Sequence, residues 1–180
     1  MRLLTLCAMT LVLSSGPAAA QARVPDAGMW AVGADLGASI FKQDVYDNAL
    51  DLQGFAEYYL TPRVGIRLGA GWAEPSLDGG NDRAMGQTRV TFDVTYNWEG
   101  GEMHPFVGVG LGAFFLQIEE NGESIGDSQT EAGMNLFGGV EFFVGRTLAV
   151  KGEARYQVVG SDVVPDAHGL TLSIGLKKYF

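Results

Sequence analysis

The chain closes with HGLTLSIGLKKYF, residues 168–180. From Leu170 the apolar side chains fall on every second position, Leu170, Leu172, Ile174 and Leu176, and the run ends on Phe180. Thr171, Ser173, Gly175 and Lys177 occupy the positions between them. A period of two marks a β-strand with one apolar and one polar face. Chain ends of soluble domains are usually frayed and polar, so an apolar, aromatic-terminated final strand calls for something to cover it.

The same period recurs along the chain, and helical periodicity is hard to find after Gln21. Eight runs alternate: Met29–Ile40, Leu50–Leu60, Val64–Trp72, Thr88–Trp98, Pro105–Gln117, Ala132–Val144, Leu148–Val158 and Leu170–Phe180. Each is near the roughly 9–11 residues that a tilted membrane-spanning strand needs. Short connections (TPR, EGGEMH, GRT) alternate with long ones (FKQDVYDNA, AEPSLDGGNDRAMGQ, IEENGESIGDSQTE, VGSDVVPDAHG). In an up-and-down barrel the two sets emerge at opposite ends. The long connections hold twelve acids, Asp44, Asp47, Glu74, Asp78, Asp82, Glu119, Glu120, Glu123, Asp127, Glu131, Asp162 and Asp166, against Lys42 and Arg83. The net charge of −9 is therefore concentrated at one rim.

Residues 1–22 have the form of a secretory signal peptide. Arg2 precedes an apolar run from Leu3 to Leu13, and small residues around Ala18, Ala20 and Ala22 offer cleavage after Ala20 or Ala22. The apolar run is shorter than the roughly 20 residues of a spanning helix. Cys7, the single cysteine, leaves with this segment, so the exported domain, 23–180, cannot use disulfides.

Alternation by itself fits a soluble barrel with an apolar interior as well as a membrane barrel with an apolar exterior. The contents of the two faces separate them. One face carries Trp30, Val32, Ala34, Leu36; Val64, Ile66, Leu68, Ala70, Trp72; and Val90, Phe92, Val94, Tyr96, Trp98. The other mixes charge with glycine, as in Gly33, Asp35, Gly37; Arg67, Gly69, Gly71; and Lys151, Glu153, Arg155. Glycine weakens a strand and offers water nothing. Inside an eight-stranded barrel, however, it leaves room for a long charged neighbour. The expected bore network is Asp35, Asp51, Glu57, Arg67, Arg89, Asp93, Glu141, Lys151, Glu153, Arg155 and Lys177. The expected outer belts are Trp30, Tyr58, Tyr96, Trp98, Phe142 and Phe180 near the short turns, and Trp72, Phe115 and Tyr156 near the long loops. With lipid outside, no strand edge can stay open, so the last strand must pair with the first.

Signal peptide, strand number, loop asymmetry and the closing GLTLSIGLKKYF together resemble the small eight-stranded outer-membrane β-barrel family, the group of the OmpA membrane domain, OmpX and the opacity proteins. The resemblance covers the whole exported chain. It implies an all-β, antiparallel barrel in the outer membrane of a Gram-negative bacterium, with lipid and lipopolysaccharide around it. It also implies that Leu172, Ile174, Leu176 and Phe180 form a signal read by the outer-membrane assembly machinery. Lys178 departs from the pattern, standing on the lipid side where the family has an apolar or aromatic residue; its head can snorkel to the interface.

The function this points to is a non-enzymatic surface, structural or adhesion barrel with an external partner of unspecified chemistry. The alternatives are a narrow porin-like channel for small or amphipathic solutes, a lipid A-modifying enzyme, and a soluble lipid carrier. Neither His104 nor His168 is followed by serine at the spacing of a His-x-Ser pair, and the nearest catalytic-looking set is Ser161, Asp162, Asp166 and His168. Acids of the third long connection suit Ca²⁺ or Mg²⁺ in type, without EF-hand spacing. The sequence calls for no cofactor and no nucleic-acid partner.

Overall fold

A computed structural model describes residues 25–41, 48–76, 83–98, 103–120, 123–160 and 168–180. The expected signal segment, 1–22, lies outside them. Eight strands follow one another: β1 (Trp30–Phe41), β2 (Ala49–Tyr59), β3 (Val64–Ala73), β4 (Arg83–Asn97), β5 (Met103–Glu120), β6 (Glu123–Phe143), β7 (Leu148–Val159) and β8 (Gly169–Tyr179). Each pairs antiparallel with the next, and β8 closes on β1 from Ala31↔Tyr179 to Phe41↔Gly169. The closing strand is thus one side of a seam, its backbone edge paired with β1.

The short turns are built by local chemistry. In the β2–β3 turn the Thr61 hydroxyl accepts from the backbone N–H of Arg63 (3.2 Å) and Val64 (2.9 Å), and Pro62 presets the bend. Ahead of β1, Gly28 takes φ +85°, a conformation that favours glycine. Its N–H donates to the Tyr59 carbonyl at 2.8 Å and tucks Met29 against Ala31, Tyr59, Ala149 and Tyr179.

Following paired residues once round the wall from Ala31 leads through Glu57, Arg67, Asp93, Gly110, Asn135, Gln157 and Gly169 to Phe41, ten residues further along β1. A stagger of ten on eight strands tilts the strands strongly and leaves a bore just wide enough for side chains to fill. The outer wall is predominantly apolar, with Leu111, Leu136 and Ile174 among its most exposed residues.

The long connections need correction. The strand expected from Thr88 begins at Arg83, and the segment 118–131, expected as a loop, is a hairpin in which β5 runs to Glu120 and β6 starts at Glu123. Glu120 pairs with Glu123 and Ile118 with Ile125, and a register shift between Leu116 and Ile118 marks where the hairpin departs from the regular wall. The overlooked signal is Asn121-Gly122, the dipeptide favoured in two-residue hairpins. Glu119, Glu120, Glu123, Asp127 and Glu131 therefore lie on strands rather than in a loop. Asp44, Asp47, Asp78, Asp82, Asp162 and Asp166 fall outside the described residues.

Candidate functional site: the charged bore

Alternation sends every second residue inward, and the stagger decides which of them meet. The side chains of Asp35, Asp51, Glu57, Arg67, Arg89, Asp93, Glu141, Lys151, Glu153, Arg155 and Lys177 all point into the bore, none more than 5% exposed. They form three linked groups.

At the short-turn end, Lys177 Nζ lies 2.7 Å from Glu141 and 2.8 Å from Glu57, and donates to the Tyr59 hydroxyl at 2.7 Å. Tyr179 donates to Glu141 and Thr95 donates to Glu57. Stacked rings of Tyr59, Tyr179 and Phe143, with His104 against Phe143 at 4.9 Å, make an aromatic floor.

The middle is organised by Arg67 and Glu153. Arg67 reaches Glu57 at 3.1 Å on one side and Glu153 at 3.0 Å on the other. Glu153 also takes Lys151 at 2.7 Å and Arg155 at 3.0 Å, its neighbours two residues away on the same strand face. Lys151 lies 2.9 Å from Asp35, and Arg155 donates to Asn135 at 2.8 Å, which in turn donates to Asp93 at 3.0 Å. Phe55, Phe106 and Phe137 fill the gaps. The Arg67 guanidinium carbon stands 4.3 Å from the Phe55 ring centre and 5.0 Å from that of Phe137, and Arg155 lies 3.9 Å from Phe137.

Near the long-loop end Arg89 grips Asp51 with two parallel bonds of 2.8 and 2.6 Å, the fork-on-carboxylate geometry that makes such pairs strong. Ser39 donates to Asp51 at 2.8 Å and shares a 2.7 Å bond with Thr171. Tyr59, Phe106, Asn135, Phe137 and Tyr179 are members that the sequence reading did not single out. All have the inward parity, which was the available signal.

The belt residues stand on the outside. Trp30, Trp72, Tyr96, Trp98, Phe115, Phe142, Tyr156 and Phe180 are exposed and Tyr58 half-buried, with Trp30 packed on Tyr58 at 4.9 Å. Leu172, Ile174 and Leu176 share that outer face. Of the catalytic-looking set, Ser161, Asp162 and Asp166 lie outside the described residues, and His168 is half-buried before β8.

A closed barrel with an apolar exterior, aromatic residues at both ends and ionised groups sealed inside is a transmembrane barrel of the outer-membrane type. The family model for the outer membrane protein β-barrel domain matches residues 7–177. The chain belongs to that family, and it is an integral outer-membrane protein. Among solved structures it is similar to the Neisserial surface protein A, NspA (15% identity, TM-score 0.69, 84% of this chain and 96% of that one). It is also similar to OprG of Pseudomonas aeruginosa (14%, 0.62, 86% and 97%) and to Ail, the attachment invasion locus protein of Yersinia pestis (14%, 0.60, 86% and 99%). No curated protein sequence matches the chain.

Proposed function

We propose that this protein is a non-enzymatic barrel with a closed bore, acting through its external surface as a structural or adhesion-type element of the cell envelope. The observation that carries the reading is the interlocked bore. Arg67 bridges Glu57 and Glu153 between three phenylalanines, and no ionised side chain of the network is left facing an open path. A channel would need water-lined charge along its length, and the eight-stranded wall has no spare width for it. The soluble-carrier alternative requires an apolar interior, the reverse of this arrangement. The similarity to Ail, the attachment invasion locus protein, supports the adhesion reading.

In this reading lipid and lipopolysaccharide surround the wall, and the assembly machinery engages the β8 face of Leu172, Ile174, Leu176 and Phe180. Residues 1–22 are removed on export, which the intact mass of the purified protein checks. The function is tested in planar bilayers. The refolded protein should show no stable discrete conductance, and steady unitary openings that change with Arg89→Ala or Glu57→Gln would replace this reading with the porin-like one.

A further inference from the structure

Lys178 is the residue for which the barrel architecture by itself gives no use. It is exposed on the outer face of β8, one residue inside the aromatic-rich short-turn end, opposite Leu148 on β7. Its Nζ donates to the Thr147 hydroxyl at 2.6 Å, and among the described residues it has no carboxylate partner. Arg146, exposed in the same β6–β7 turn, is a second base without a carboxylate partner there. Two uncompensated cations at the periplasmic rim favour a phosphate group.

The wall above them is hollowed. A shallow, open groove of about 540 Å³ crosses the outer face of β6, β7 and β8. Small residues, Gly138, Gly152 and Ala154, form its floor, and Phe142, Leu172 and Ile174 its sides. Register aligns the two features. Leu148 pairs with Lys178, and four residues up the same strands Gly152 pairs with Ile174. Phe142, the groove residue nearest the bases, pairs with Val150, two residues from Leu148. At about 3.3 Å per residue the groove thus begins roughly 7 Å along the strand from the bases and reaches Gly152 at roughly 13 Å, running from beneath a headgroup to hydrocarbon depth. A second groove, beside Trp72 near the opposite rim, has Ala34, Leu52, Gly54 and Ala70 along it and stands away from this pair of bases.

We propose that the β6–β8 face binds one anionic phospholipid of the inner leaflet, its phosphate held by Lys178, Thr147 and Arg146 and one acyl chain lying in the Gly138–Gly152–Ala154 groove. This site is independent of the closed bore and of whatever the external loops engage. The source is a leaflet phospholipid rather than lipopolysaccharide, because the bases stand at the short-turn, periplasmic end.

The test uses the full exported chain refolded into vesicles of equal phosphatidylethanolamine and phosphatidylglycerol, extracted in mild detergent and weighed by native mass spectrometry. Phosphatidylglycerol should be retained over phosphatidylethanolamine by roughly ten- to thirtyfold, from two bases near the headgroup. Lys178→Tyr combined with Arg146→Gln should bring that ratio close to one. Gly152→Leu, where a side chain meets open space, should reduce retention of both lipids. Heat-modifiable gel migration shows that each variant is folded. Arg146→Gln alone, in an exposed turn, provides a second reading, with a drop of about three- to sixfold. Equal retention of the two lipids by the parent protein, or an unchanged ratio in either charge variant, overturns the headgroup site. Undiminished retention in Gly152→Leu overturns the groove.

Discussion

Truncating Arg67 to alanine is the sharpest perturbation of the bore. The side chain is 1% exposed and gives Nε and Nη2 to Glu57 at 3.3 and 3.1 Å and Nη1 to Glu153 at 3.0 Å. Without it Glu57 keeps Lys177 and Thr95, and Glu153 keeps Lys151 and Arg155, so neither carboxylate is stranded. The electrostatic loss therefore belongs at the lower end of the range for breaking a buried pair, about 3 kcal/mol. Losing the stacking on Phe55 and Phe137 adds about 1 kcal/mol. A total near 4 kcal/mol is a third or more of the roughly 5–15 kcal/mol of an ordinary domain. Guanidinium unfolding in lipid vesicles, followed by the fluorescence of Trp30, Trp72 and Trp98 on the outer wall, measures it. Arg67→Lys keeps the charge but not the planar fork and should lose about half as much. Pairing Arg67→Met with Glu57→Gln should lose at least about 1 kcal/mol less than the two changes summed. A loss below about 1 kcal/mol for Arg67→Ala would refute the interlocked bore, because it would mean that water already solvates these charges.

Further outcomes follow from the same geometry. A Cβ on Gly139 would come within 2.0 Å of the Gly152 carbonyl oxygen, whereas one on Gly152 meets nothing within 4 Å. Gly139→Ala should lower stability by about 1–3 kcal/mol and Gly152→Ala leave it unchanged or raise it by up to about 1 kcal/mol, both read from unfolding midpoints. Phe180→Ala should cut the amount of folded barrel in the outer membrane of cells while leaving refolding of the purified protein into vesicles intact; equal yields in cells would remove the assembly role of this residue. Amides of 116–120 and 123–130 should be protected in hydrogen exchange if the hairpin holds its register, and free exchange there would restore the loop reading.

Much of the barrel was legible in one strand's worth of residues, because a period of two assigns every side chain to one of two faces. Lys151, Glu153 and Arg155 could be read as a ladder on one face of β7 directly from their spacing. Charge-rich composition points to a loop over 118–131, yet five acids stand on strands there, and Asn121-Gly122 was the sequence signal for a hairpin. Which bore residues meet was not legible at all. Arg67 and Glu153 are 86 positions apart, and their contact depends on a ten-residue stagger that is a property of the closed wall rather than of any strand. The inward aromatics were obscured for a related reason: Tyr59 and Tyr179 adjoin the belt residues Tyr58 and Phe180, and only parity separates floor from belt.

The glycines explain how so narrow a bore holds so many large groups. A Cβ on Gly110 would fall 1.9 Å from Asp93 Oδ1, and one on Gly175 equally close to Asp35 Oδ1. Gly71 lies under the Arg89 guanidinium, Gly33 under the Phe55 ring and Gly108 under the Phe137 ring. Each bulky interior side chain of this set lies across a glycine of a neighbouring strand, so the wall gives up β propensity where the bore needs volume. A slip of one residue would turn charges to lipid and bring Cβ atoms under the rings, and a slip of two would keep the faces but set Arg67 opposite Phe55 or Tyr59 in place of Glu57. The charge network and the glycines thus specify one barrel among the many that an alternating sequence permits. On the closed-bore function proposed above, an interior committed to that task leaves the outer wall and the loop rim as the surfaces through which the protein would act.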